Sequence, residues 1–148
     1  MLKSKLIYSL LIISLLAISA CTNQVSQTSK VNELSPEEVV RLYFESWNNK
    51  DYRTQYSLIS DGFKKIDPQA KDLETFSSYM QQYFQQGNSI QVKGVKESYR
   101  TDNEAGIEYT ITMDLKTGKR DFTSTYTLKK RENGWKLIHP YGENIDTS

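Results

Sequence analysis

From Ser35 onward, apolar residues keep one period up to about residue 86 and another after it. Val39, Val40, Tyr43, Phe44 and Trp47 recur at the spacing of an amphipathic helix, with Arg41, Glu45 and Asn48 facing away. In front of them, Ser35-Pro36-Glu37-Glu38 supplies an N-cap serine, a proline for the first helical position and a glutamate that can reach back to the cap. Asn48-Asn49-Lys50-Asp51 ends that helix. Asp51 caps a short second helix expected over Tyr52–Ser60, with Tyr52, Tyr56 and Ile59 inward and Asp61-Gly62 as its stop. Phe63 to Pro68 reads as a connector holding a brief strand at Phe63–Ile66. A third helix is expected over Leu73–Gln86, with Leu73, Phe76, Tyr79, Met80, Tyr83 and Phe84 as its stripe and a serine- and glutamine-rich outer face. Gly87 stands where a terminating glycine belongs.

After Gly87 the period becomes two. Ser89–Tyr99 predicts a strand, with Gly94 as a bulge or bend. Ala105–Leu115 alternates most clearly: Ile107, Tyr109, Ile111, Met113 and Leu115 inward, Glu108, Thr110, Thr112 and Asp114 outward. Lys116-Thr117-Gly118-Lys119 is a hairpin turn, after which Phe122, Ser124, Tyr126 and Leu128 alternate with Thr123, Thr125, Thr127 and Lys129. Glu132-Asn133-Gly134 makes a second hairpin turn, and Trp135–His139 is the last strand. The pattern predicts an α+β fold, with three N-terminal helices packed on one face of a curved four-stranded antiparallel sheet.

The first 34 residues follow different rules. Lys3 and Lys5 precede an apolar run, Leu6–Leu16, interrupted only by Ser9 and Ser14. It is shorter than the roughly 20 residues of a spanning helix and suits the core of a signal peptide. Ile18-Ser19-Ala20-Cys21 resembles the bacterial lipobox. The resemblance implies cleavage between Ala20 and Cys21, with a diacylglycerol on the Cys21 thiol. Cys21 is the sole cysteine, so lipidation would consume the odd thiol and leave a domain without disulfides. Residues 22–34 are rich in Asn, Gln, Ser and Thr and too poor in apolar side chains to fold. The expected organisation is a signal peptide at 1–20, a lipidated tether at 21–34 and a domain at 35–148. The protein is then lipid-anchored on the extracytoplasmic face of the cell membrane, several acyl chains giving stable attachment.

Charge excludes one class of partner. The chain has 19 basic and 18 acidic residues; losing Lys3 and Lys5 with the signal peptide leaves one excess acid, a formal charge of −1. That balance argues against a nucleic-acid partner.

The segment Val39–Tyr52, the Ser57-Leu58-Ile59-Ser60-Asp61 stretch and the Asn133-Gly134-Trp135-Lys136-Leu137 hairpin resemble the nuclear-transport-factor-2-like (NTF2-like) fold. This cone-shaped α+β arrangement is also seen in ketosteroid isomerase and polyketide cyclases. The chain is also similar to small bacterial lipoproteins of this fold, and to the domain preceding the transpeptidase in some penicillin-binding proteins. A cystatin-like fold, one helix against four strands, is the alternative architecture; the second and third helices argue against it. The resemblance implies a homodimer through the sheet as one arrangement, and a function in enzymes, binders or assembly domains alike.

Enzymes of this fold place an acid or a histidine inside the cone. Here Glu108, Asp114 and Asp121 fall on the outward phase. Asp67 and Asp72, near Pro68, are the acids that reach the cone mouth. His139, the lone histidine, closes the last strand, and one histidine without a free thiol does not make a zinc site. No phosphate loop or nucleophile elbow occurs, and no catalytic residue, metal or cofactor is expected. The candidate pocket is a set of inward residues with polar tips: Tyr43, Trp47, Tyr79, Tyr83, Tyr109, Ser124 and Tyr126. They serve as core filler or as a ligand pocket. The leading expectation is a non-enzymatic envelope lipoprotein that binds a protein of cell-wall, secretion or conjugation machinery. A small-molecule binder using the cone interior is the alternative, and an isomerase- or cyclase-type enzyme stands third.

Overall fold

The computed structural model describes residues 33–85 and 89–142. The signal segment 1–20, Cys21 and nearly all of the tether 21–34 lie outside the described residues, as do residues 86–88, Gly87 among them, and residues 143–148. The first helix, α1 (Pro36–Asn49), starts as its sequence predicts. Ser35 Oγ accepts the Glu38 N–H at 3.3 Å, and Glu38 Oε2 accepts the Ser35 N–H at 2.7 Å. It ends at Lys50, which is left-handed (φ 57°) and returns its N–H to the Ser46 and Trp47 carbonyls.

The middle helices correct the sequence reading. The second helix does not run over Tyr52–Ser60: α2 spans Tyr52–Ser57, because Leu58–Ser60 is drawn out beside the last strand. Leu137 N–H donates to the Leu58 carbonyl and Ser60 N–H to the Leu137 carbonyl, both at 2.9 Å. Nor is Phe63–Ile66 a strand. It belongs to α3 (Asp61–Ile66), which Ser60 caps by accepting the Phe63 N–H at 2.9 Å. A 3₁₀ turn, Pro68–Ala70, then leads into α4 (Leu73–Gln85). Four α-helices and a 3₁₀ turn thus stand among the described residues where three helices were expected. The α+β class holds.

The sheet is β1 (Ser89–Arg100), β2 (Glu104–Leu115), β3 (Gly118–Arg131) and β4 (Gly134–Leu137), antiparallel throughout and in chain order. Its register shifts between Val92 and Gly94, beside the glycine where a bulge or bend was expected, and again between Glu97 and Tyr99. β3 begins at Gly118, well before Phe122, because the ladder continues to a two-residue turn in which Leu115 faces Gly118. Gly118 and Gly134 take φ of 111° and 92°, which turns this tight require of glycine. The last strand stops at Leu137, two residues before His139, where the chain leaves the ladder.

α1 lies across the sheet. Val39, Val40, Phe44, Ile107, Leu128 and Leu137 are almost fully buried between them. Arg41 and Asn48 are exposed, as expected of the outward face, and together with Glu37 they also reach the outer edge of β1. Asn48 Nδ2 donates to the Ile90 carbonyl at 2.5 Å, and its Oδ1 accepts the Ile90 N–H at 3.0 Å. Arg41 Nη2 donates to the Val95 carbonyl at 3.4 Å, and Glu97 N–H donates to Glu37 Oε1 at 2.9 Å. At the opposite edge, Leu58–Ser60 pairs with β4 as described above. No helix among the described residues is long and apolar enough to cross a membrane.

Candidate functional site

The inner face of the sheet is filled by its own rings. Tyr109 and Tyr126 are diagonal neighbours across β2 and β3, two residues out of register on the same face, and stack at 4.7 Å with 22° between planes. Phe44 of α1 covers both, its ring 5.1 Å from Tyr109 and 6.1 Å from Tyr126, and Tyr43 meets Tyr126 edge-on at 6.0 Å. Burial pushes the Tyr43 and Tyr126 hydroxyls well above the ordinary tyrosine range. Fully buried Gln55 turns its amide toward the Tyr43 hydroxyl without closing a well-aligned hydrogen bond. Ser124, predicted to line the same space, is exposed. It faces Tyr109 across the ladder, and Phe122, two residues earlier on the same strand, is 41% exposed.

These tyrosines set an alkaline limit. Their folded pKa values lie above the unfolded value of about 10. The stability they contribute is therefore complete below about pH 10 and is lost as pH rises through the raised values. Unfolding followed by circular dichroism should coincide above pH 10 with a late rise in tyrosinate absorbance, and Tyr126→Phe should delay both. Ionisation of every tyrosine near pH 10 with unchanged ellipticity would contradict this account.

A separate cleft opens where α1, the α3 connector and α4 meet. Its volume is about 220 Å³, and its lining includes Tyr43, Trp47, Asp67, Tyr79, Met80 and Tyr83. Trp47 and Tyr83 meet edge-to-face at 5.5 Å (80°), Tyr79 lies 6.3 Å from Tyr83, and Tyr43 closes the inner end 6.5 Å from Trp47. Asp67 is half-buried. It caps the 3₁₀ turn through Oδ1, which accepts the Gln69 N–H at 2.8 Å. Asp72, the other acid expected near the mouth, is exposed and caps α4, accepting the Thr75 N–H at 2.7 Å; that backbone hydrogen bond holds its carboxyl below the usual range.

A larger groove, about 390 Å³, runs between the α2–α3 joint and the β3–β4 hairpin. Much of its charge is used within the chain. Lys64 pairs with Asp61 at 2.9 Å, and buried Lys136 donates to the Ser57 carbonyl at 2.8 Å. His139 packs edge-on against Phe63 at 4.8 Å, and its Nδ1 accepts the Tyr141 N–H at 3.2 Å, a role in tying down the chain after β4. Among the described residues, no group of three His, Cys, Asp or Glu is gathered as a metal site would need.

Residues 35–140 match the model of a family described as the NTF2-like N-terminal transpeptidase domain. The chain belongs to that family. Solved structures agree in fold. A SEC-C motif containing protein from Rhodopseudomonas palustris aligns with a TM-score of 0.54 at 10% identity, over 71% of this chain and 76% of that one. A SEC-C motif containing protein from Psychrobacter arcticus gives 0.54 at 10%, over 76% of this chain and 63%, less than two thirds, of its own. An NTF-2 like protein from Shewanella oneidensis MR-1 gives 0.50 at 13%, over 68% and 90%. These are likenesses of fold. No curated protein matches the chain by sequence.

In this NTF2-like domain the predicted pocket residues divide. Tyr43, Trp47, Tyr79 and Tyr83 are brought together in the cleft; Tyr109 and Tyr126, half-buried, stack on each other beneath Phe44; Ser124 stands apart from both. Phe76 and Met80 of the cleft were visible on the α4 stripe. Phe63 was hidden by the expectation of a strand, and Gln69 carried no sequence signal at all.

Proposed function

We propose that this chain is a lipid-anchored, non-enzymatic protein of the bacterial envelope whose NTF2-like domain binds a protein partner. The observation that carries this reading is the closed cone: Phe44, Tyr109 and Tyr126 occupy the space in which enzymes of this fold would hold substrate. The lipobox-like Ile18–Cys21 and the polar tether support attachment to the extracytoplasmic face of the cell membrane. The family's description as an N-terminal transpeptidase domain supports cell-wall machinery as the partner class. Exposed Tyr99 and Phe122 offer contact positions outside the cleft.

The test has two arms in intact cells. The wild-type protein should incorporate an alkyne fatty-acid label and run at the size expected after cleavage at Ala20, whereas Cys21→Ser should lose the label; equal labelling of both, or none of the wild type, would rule out the lipid anchor. Photocrosslinkers placed at Tyr99 and Phe122 should yield an adduct of one mass containing a cell-wall enzyme. Adducts that merely follow the abundance of neighbouring proteins would count against a dedicated partner.

A further inference from the structure

The cleft between α1 and α4 has walls of a particular chemistry. Trp47, Tyr79 and Tyr83 present rings from two helices, and Tyr43, Phe76 and Met80 complete an apolar floor. Asp67 is the one charged side chain among the described lining residues, and it is half-buried at the wall. An apolar guest would desolvate that carboxylate without compensation, a poor exchange. A cation would compensate it. Ring faces elsewhere in this domain already hold ammonium groups: Lys50 Nζ lies 4.6 Å from the Phe84 centroid and Lys64 Nζ 4.8 Å from that of Tyr56.

Size and hydrogen bonding narrow the cation further. The volume of about 220 Å³ equals about seven waters at roughly 30 Å³ each, too little for a drug-sized ligand and enough for an ammonium bearing small alkyl groups. A primary ammonium brings three N–H donors, while most of this wall is carbon and ring. A quaternary ammonium brings none and is attracted to ring faces on every side. We propose that the Trp47–Asp67–Tyr83 cleft is a binding site for a quaternary-ammonium group, free in solution or carried as a lipid headgroup. The site is independent of the protein partner argued above.

The test uses the full lipidated protein in maltoside micelles, titrated with tetramethylammonium chloride at constant ionic strength and followed by tryptophan fluorescence. The expected result is a saturable change that is absent in Trp47→Phe, since Trp135 is buried away from the cleft. Neutral 3,3-dimethylbutanol, of similar shape, should bind at least tenfold more weakly than choline. Asp67→Asn keeps a capping side chain and should weaken tetramethylammonium binding by about 5- to 30-fold; Tyr83→Leu should weaken it about tenfold. Circular dichroism confirms that each variant is folded, and Tyr79→Leu replaces Tyr83→Leu if the latter is not. No saturable change, equal binding of the neutral analogue, or an Asp67→Asn affinity equal to wild type would overturn the proposal. Displacement of the probe by phosphocholine-headed vesicles but not by phosphoglycerol-headed ones assigns the group to a membrane lipid. Displacement by choline alone assigns it to a soluble compound. Either result upholds the site.

Discussion

Phe44→Ala is expected to lower the unfolding free energy by about 3–5 kcal/mol, the range for removing a buried aromatic side chain. Phe44 is 2% exposed and lies against three rings, those of Tyr43, Tyr109 and Tyr126. Its removal leaves a cavity under a stacked pair held from above by α1 and from the sides by β2 and β3. None of these elements can close the gap without leaving its own ladder or helix. A domain of this size has a total stability of about 5–15 kcal/mol, so the variant should unfold at markedly lower urea with an unchanged slope. Phe44→Leu keeps most of the volume and should lose far less. A loss under about 1 kcal/mol for Phe44→Ala would mean that the ring cluster collapses freely, and the closed-cone argument would fall with it.

Asn48→Ala is expected to cost about 1–3 kcal/mol, two side-chain to backbone hydrogen bonds at the usual net value for each. Both bonds go to the backbone N–H and carbonyl of Ile90 on the edge strand β1, and the substitution leaves both groups without their partner in the chain. Asn48→Asp is the informative companion. Its carboxylate still accepts the Ile90 N–H but faces the Ile90 carbonyl without a donor, so it should be at least as damaging as alanine. Hydrogen exchange at the Ile90 amide should quicken in both variants relative to amides in β2. If Asn48→Ala left stability within about 0.3 kcal/mol of wild type, the contact would be incidental.

The sequence made α1 legible because its signals are local: the Ser35–Glu38 box and the Val39–Trp47 stripe lie within one element. The β2–β3 hairpin was legible for the same reason, as alternation with a glycine turn. What was not legible depended on partners remote in sequence. Leu58 and Ile59 are apolar and follow a helical stretch, and only the presence of Leu137 pulls them straight. Asn48 is solvent-exposed, as its sequence position suggests, but its second role appears only when Ile90 is set beside it. The candidate pocket was legible in part: Tyr43, Trp47, Tyr79 and Tyr83 do line one cleft, while Tyr109, Ser124 and Tyr126 lie outside it. Inward phase was correct for Tyr109 and Tyr126, yet phase does not show that two rings stack and fill the space. The cleft residues Trp47 and Tyr83 come from helices joined only by the packing of the fold.

The placement of Glu37, Arg41 and Asn48 along β1 has a consequence for crowding. The lipid anchor proposed above would confine copies to two dimensions, where they would meet often. A twelve-residue outer strand with open amides would be a template on which a neighbour's strand could grow. Helix α1 occupies hydrogen-bonding positions near both ends and the middle of that strand, and the Leu58–Ser60 stretch does the same beyond β4. Copies brought together in this way would meet sheet edges whose hydrogen-bonding groups are partly occupied from within the chain, which works against pairing edge to edge.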